Sequence, residues 1–172
     1  ISRKCGNELY IKKVLVKNLQ KERQVNLPAE VFTLDPNEIL EDPEIKIVVE
    51  VMGGIEPAKN YILRALQNGK NVVTANKDVL AAQGKELFQA SEKHNVDLMF
   101  EASVAGGIPV ILPLKESLAG NKIQQVLGIV NGTTNYILSK MDSEKMEFSE
   151  ALAEAQALGY AEADPTADIE GL

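Results

Sequence analysis

Residues Ile45 to Met52 form a nearly unbroken apolar run that ends on Gly53-Gly54. A run of that kind is expected to form a strand buried on both faces, as in a parallel sheet. A helix is expected next, from about Pro57 to Asn68. Ala58, Ile62, Ala65 and Leu66 fall on one stripe of it, and Gly69 closes it. Asn71 to Thr74 is a second short strand. A second helix is expected from about Val79 to His94, with Leu80, Leu87 and Ala90 inward, and a third strand from Val96 to Phe100. Upstream, Tyr10 to Lys17 is another β-branched run that suits a buried strand. Residues 19 to 30 are polar and hold Pro28, so they are expected to be a loop, and Asn37 to Leu40 suits a short helical turn. This β-α-β-α-β alternation with short connections predicts an α/β fold, an open doubly wound parallel sheet.

Ligands of such sheets bind beyond the carboxyl ends of the strands. The polar groups there are Gly53-Gly54, Asn76-Lys77 and Glu101. Lys77 leaves a strand just before a helix, where the helix dipole does not favour a cation. That mild conflict favours a binding role, holding a carboxylate or polarising a carbonyl, over a solvated lysine. Gly53-Gly54 suits a tight turn with positive φ, or a close approach of backbone to a cofactor. The fingerprint G-x-G-x-x-G is not in the sequence. Glu101 is followed by a glycine-bearing turn. A carboxylate with nearby carbonyls suits a hard cation such as Na⁺ or Ca²⁺, and an ordinary strand-to-helix turn fits equally well.

The pattern changes after Glu101. A helix is expected from about Pro109 to Leu118, then a longer strand from Asn121 to Val130 with alternating faces. Asn131-Gly132-Thr133-Thr134-Asn135 turns into a helix over Tyr136 to Met141. It is either an N-cap cluster or a set of donors and acceptors for a polar substrate. A last helix, Phe148 to Leu158, carries a stripe of Phe148, Leu152, Ala155 and Leu158, and Gly159 is placed to end it. Beyond it Pro165 holds the chain off a helix, and Glu162, Asp164 and Asp168 sit on that stiff segment. Those carboxylates suit a substrate ammonium, a sugar hydroxyl or a metal, or an acidic surface loop. His94 and Lys140, Glu144 and Lys145 are expected at a helix end and on a solvated face. This half is expected to be a second α+β unit, dividing the chain into 1–105 and 106–172.

Composition removes several classes. A net charge of −7, with no basic run beside an aromatic platform, argues against nucleic-acid binding. No apolar run approaches the length of a membrane span. The single cysteine, Cys5, excludes an intramolecular disulfide framework and fits a reducing, cytoplasmic compartment.

Four segments together resemble homoserine dehydrogenases. They are Val72-Val73-Thr74-Ala75-Asn76-Lys77, the stretch Phe100 to Pro109, the stretch Gly128 to Leu138 around Asn131-Gly132-Thr133-Thr134-Asn135-Tyr136, and Gly159-Tyr160-Ala161-Glu162-Ala163-Asp164-Pro165. They occur in the family's order and spacing, from about Tyr10 to Leu172. The resemblance implies a partial Rossmann-like NAD(P)-binding domain followed by part of a substrate and dimerisation domain. It implies reduction of L-aspartate 4-semialdehyde to L-homoserine with NADPH or NADH, in threonine, methionine and isoleucine biosynthesis, by a homodimer or homotetramer. By position, Lys77 matches the family lysine beside nicotinamide and substrate. Glu162 matches a glutamate touching both, Gly53 and Gly159 match cofactor contacts, and Asp168 matches a second substrate carboxylate. Glu101 with the carbonyls of Val104, Gly106 and Ile108 matches a monovalent-cation site, occupied by Na⁺. Two readings compete: another α/β enzyme handling an aldehyde or a phosphate, and a non-catalytic assembly or regulatory module.

The resemblance also implies a glycine-rich phosphate loop before Ile1, and an aspartate and a proton-donating lysine after Leu172. The chain is therefore expected to be an interior segment, inactive by itself, with a sheet edge or apolar surface left open. Incubating these 172 residues with NADPH and aspartate semialdehyde is expected to give no loss of absorbance at the dihydronicotinamide band. Lys17 and Lys21 suit the 2′-phosphate of NADPH, since no acidic residue ends the strand from Tyr10 to Lys17. A strong preference for NADH in a complete enzyme carrying this segment would overturn that.

Overall fold

The structure is a computed structural model that describes residues 6, 8–106, 108–161, 165, 166 and 170. It divides into two compact units, Ile1–Glu116 and Ser117–Leu172. In the first, β1 (Val14–Leu15) pairs in parallel with β2 (Phe32–Thr33), with Val14 opposite Phe32. A 3₁₀ turn, Ala29–Val31, leads into β2, and α1 (Asn37–Leu40) follows it. The strand expected over Tyr10 to Lys17 thus forms a ladder only at its centre. Its partner, β2, emerges from a stretch that carries no periodic signal.

The main sheet holds β3 (Ile47–Glu50), β4 (Asn71–Thr74) and β5 (Leu98–Met99) in the order β3-β4-β5, all parallel. Two helices cross over between them, α2 (Ala58–Gln67) and α3 (Lys77–His94). Both pack on one face. Ala58, Ile62, Ala65 and Leu66 of α2 and Val79 and Leu87 of α3 form one cluster with Leu40, Val72 and Leu98. The stripe expected on α2 is the stripe buried. In α3, Val79, Gly84, Leu87 and Ser91 are buried, and Leu80 and Ala90 line the margin of the core. Asn76 caps the start of α3, its side chain accepting from Val79 N, and Asn95 ends it in the left-handed region at φ 52°.

Among the described residues the other face of the sheet is largely uncovered. Val49 is 63% exposed, and Ile47, Val51 and Met99 are also exposed. Burial of the first strand on both faces is therefore corrected: among the described residues its even positions meet α2 and α3, and its odd positions meet water. The apolar run reads as doubly buried because side chains alternate across a strand, while the covering layer is not a local property of the run.

After β5 comes a 3₁₀ turn, Glu101–Ser103, and then a helical stretch over 111–117 that is a π-helix from Pro113–Ser117. In the second unit, α4 (Gly132–Ser143) and α5 (Phe148–Ala157) pack through Ile137, Ala151, Ala155 and Ala161. Helix α4 begins four residues before the expected Tyr136, because the Asn131 side chain accepts from Thr134 N and caps it there. Of the stripe expected on α5, Ala155 is buried and Leu152 packs against the cluster, whereas Phe148 and Leu158 are exposed and Ala151 is buried beside them.

No ladder forms over 121–130 among the described residues, and all ten of these side chains are exposed. The alternation was real, yet a strand exists only with a partner that takes its N–H and C=O groups.

Leu66→Ala is expected to lower stability by about 2–5 kcal/mol, because Leu66 is fully buried. Val49→Thr on the bare face is expected to stay within about 0.5 kcal/mol. Urea midpoints of the two variants check both values.

Candidate functional site

The carboxyl edge of the main sheet brings three turns together. The first follows β3. Gly53 and Gly54 both have positive φ, 75° and 72°. A β-carbon built at either position meets no atom within 4 Å. Glycine is therefore needed for the backbone conformation rather than for internal space, and the turn presents bare peptide to solvent. The second turn follows β4. Asn76 is buried and Lys77 is exposed at the first position of α3. The Lys77 ammonium has no hydrogen bond or ion pair among the described residues, so it is free to meet an anionic or carbonyl oxygen. The third turn is Glu101–Ser103.

A buried polar network joins these turns. Glu50 ends β3 at 4% exposure and Thr74 ends β4 at 0%. Thr74 Oγ1 donates to Glu50 Oε2 at 2.6 Å. Met52 N donates to Glu50 Oε1 at 2.7 Å, and Asn76 Nδ2 reaches the same oxygen at 3.5 Å. Asn76 Nδ2 also donates to the Gly54 carbonyl at 2.7 Å. Ser103 Oγ donates to the Thr74 carbonyl at 2.9 Å. Sequence reasoning passed over Glu50 because it counted the run around it as apolar. Its parity was the available signal: it lies two residues after Val48, on the face that packs into the core.

The Glu101 carboxylate is engaged with backbone amides. It gathers the amides that open the helical stretch over 111–117. Val110 N and Ile111 N donate to Oε1 at 2.5 and 2.9 Å, and Leu112 N donates to Oε2 at 2.8 Å. These bonds, that of Leu112 first, then those of Val110 and Ile111, hold its carboxyl below the usual glutamate range. They also fasten 110–112 to the first unit, which runs to Glu116. The turn between curls through two left-handed residues, Ala105 at φ 54° and Gly106 at φ 61°. A donor set of oxygens alone suits a hard monovalent cation. The carbonyls of Val104, Gly106 and Ile108 are oxygen donors of that kind, and most lone pairs of the Glu101 carboxylate are committed to amides. A cavity of about 30 Å³ lies beside Glu101, lined by Leu98, Phe100, Leu112 and Lys115 among others. It has room for a water molecule and none for a nucleotide.

In the second unit the last two family-like segments touch. Gly159, at φ 77°, ends α5: its N–H donates to the Gln156 carbonyl at 3.1 Å, and that of Tyr160 to the Ala155 carbonyl at 2.9 Å. Thr133 Oγ1 donates to the Tyr160 carbonyl at 2.6 Å, and the Tyr136 and Tyr160 rings lie 5.0 Å apart. Thr133 is thus engaged with the chain itself. Tyr136 donates to Glu154 at 2.6 Å, and Lys140 pairs with Glu144 and Glu154 at 2.9 and 3.0 Å. The face expected to be solvated is partly tied into the α4–α5 pair. Glu162 and Asp168, the expected substrate carboxylates, lie outside the described residues.

Parallel strands, helical crossovers and a glycine turn beside a free lysine at the carboxyl edge define a Rossmann-like, dinucleotide-binding α/β domain. The family model described as the NAD-binding domain of homoserine dehydrogenase matches residues 2–101, and the homoserine dehydrogenase model matches 109–172. The chain belongs to the homoserine dehydrogenase family. It is 57% identical to the homoserine dehydrogenase of Synechocystis sp. over 164 residues, covering 95% of this chain and 38% of that protein. It is 52% identical to that of Bacillus subtilis over 167 residues, covering 97% and 39%. The structure superposes on a homoserine dehydrogenase from Thiobacillus denitrificans with a TM-score of 0.88 and 46% identity, over 98% of this chain and 39% of the other. A hyperthermophilic archaeal homoserine dehydrogenase in complex with NADPH gives a TM-score of 0.74 at 37% identity, over 83% and 44%. The chain spans less than two fifths of the length of these curated relatives.

The depressed carboxyl of Glu101 gives a pH test. Its clamp stabilises the folded chain fully above the unfolded glutamate value, about 4.3. As pH falls below that value and passes the lower folded one, the clamp is expected to release. Amide shifts of Val110, Ile111 and Leu112 are expected to titrate together in that window, and Glu101→Gln to abolish the titration.

Proposed function

We propose that this chain carries the nicotinamide-side surface and part of the substrate domain of an enzyme that reduces L-aspartate 4-semialdehyde to L-homoserine with NADPH or NADH. The observation that carries this reading is the single sheet edge on which Gly53-Gly54 and the free Lys77 stand together. The two family matches support it, and the NADPH complex of the archaeal relative supports NADP(H) as one cofactor. In this reading residues 1–105 bind the dinucleotide and 106–172 begin the substrate and dimerisation domain of a cytoplasmic homodimer or homotetramer. The product feeds threonine, methionine and isoleucine synthesis.

The dihydronicotinamide supplies the hydride, which adds to the aldehyde carbon. Every other task falls to protein groups. Gly53, and by its family position Gly159, would allow close approach of the cofactor. Lys77 would lie beside nicotinamide and substrate, where its ammonium would orient the carbonyl, stabilise the negative charge that grows on the aldehyde oxygen and deliver the proton that completes the alcohol. By their match to the family positions, Glu162 and Asp168 would hold the substrate's ammonium, and Glu162 would also contact the cofactor. A sodium ion would be held by the carbonyls of Val104, Gly106 and Ile108. Glu101 supports that turn by fixing the amides of Val110, Ile111 and Leu112 and contributes its remaining lone pair.

The test is a graft of this chain into the Bacillus subtilis relative in place of its matching segment. Lys77→Met in the graft is expected to lower kcat/KM for aspartate semialdehyde about 10²–10³-fold, the usual cost of losing one donor to a developing oxyanion. A change of less than about threefold would remove Lys77 from the reaction.

A further inference from the structure

We propose that Glu50 is a positioning residue for the dinucleotide edge. Without touching ligand, its carboxylate locks the Gly53-Gly54 turn and the Asn76-Lys77 helix start into one rigid platform. The inference rests on the reading of that edge as the nicotinamide site.

The pattern of the strand predicts an aliphatic side chain where Glu50 stands. Val48, on the same face, packs into the core, and Glu50 is as buried as the core itself at 4% exposure. A carboxylate at such a position is costly unless every lone pair it can use is satisfied. No ion pair reaches it among the described residues. Its donors are neutral, and they come from one place. Met52 N–H is the peptide just before Gly53, and the Asn76 amide is the side chain just before Lys77. Thr74 Oγ1 completes the set and is itself an acceptor for Asn76 N at 3.0 Å. None of these donors lies in the body of α2 or α3.

A carboxylate that served only packing would draw its partners from whatever surrounded it. This one gathers the two turns that flank the proposed ligand and no others. Asn76 extends the link: the same Nδ2 that reaches Glu50 donates to the Gly54 carbonyl, and its Oδ1 accepts from Val79 N at the start of α3. The direction of α3, and with it the origin of the Lys77 side chain, is therefore set relative to Gly54 through one amide. Glu50 holds that amide and the Met52 peptide on a single oxygen. The Met52 peptide and the Asn76 amide both need an acceptor, which Glu50 Oε1 supplies and an aliphatic side chain of that volume cannot.

The experiment uses Glu50→Gln, which keeps one acceptor and the volume, and Glu50→Leu, which keeps only the volume. Thr74→Val serves as a milder second probe. In the 172-residue chain, amide exchange of Met52 is expected to accelerate about tenfold in Glu50→Leu, as for loss of one net hydrogen bond, and less in Glu50→Gln. In the graft described above, Glu50→Leu is expected to raise KM for NADPH about tenfold and to lower kcat, with Glu50→Gln restoring most of both. If Glu50→Leu does not fold, the Gln and Val variants carry the same comparison with smaller shifts. Unchanged Met52 exchange in the Leu variant, or in both milder variants where Leu does not fold, would overturn the proposal. So would altered exchange with unchanged KM and kcat, where Lys77→Met still impairs the graft; the edge would then bind dinucleotide and Glu50 would serve folding alone. If neither Lys77→Met nor the Glu50 variants change the kinetics, the reading of the edge itself fails, and this inference with it.

Discussion

The pairing of β3 with β4 is the constraint on which the rest of the first unit depends. Its register runs from Ile47 opposite Asn71 to Glu50 opposite Thr74. That register ends both strands at the same level, so the turns after them emerge side by side. A shift of one residue would turn Glu50 to the bare face and Val49 into the core, because side chains alternate along a strand. Burial of Val72 against α2 and α3 opposes such a slip from one side. The bond from Thr74 to Glu50 opposes it from the other. Hydrophobic burial and a polar bond thus select the same alignment.

What the sequence disclosed was local. The stripe of Ala58, Ile62, Ala65 and Leu66 repeats at helical spacing and is buried as that spacing requires. Gly69 and Gly159 follow helices and adopt the left-handed backbone that only glycine takes cheaply. Asn131 caps α4 as an asparagine before a helix should. What stayed hidden depends on residues far away in sequence. Strand β2 is two residues long and exists because β1 lies beside it. The stretch over 121–130 alternates like a strand and remains unpaired among the described residues. Phe148 and Leu158 continue the apolar repeat of α5, but the helix presents Ala151 and Ala155 to α4, where small side chains permit close approach.

The candidate site shows the same division. Lys77, Gly53 and the Glu101 turn were found because residue type and position at a strand end are local facts. Which way the Glu101 carboxylate turns was not, since it is settled by three amides nine to eleven residues further on. Those amides open a short helical stretch, where unpaired N–H groups attract an anion. The Glu101 carboxylate is then already engaged before any cation is considered. Glu50 was hidden for a different reason: an acidic residue inside an apolar run is easily counted as a break at its edge.

The parallel order of the main sheet has a consequence for how the chain assembles. Glu50 and Thr74 are 24 residues apart, and Asn71 meets Asp97 across 26. Each strand therefore joins one laid down a single crossover earlier, and none waits for a distant segment. Loop closure over such spans is a modest entropic cost. The three-stranded layer can grow one strand at a time as it is synthesised, each crossover helix sealing the face just completed before the next strand arrives.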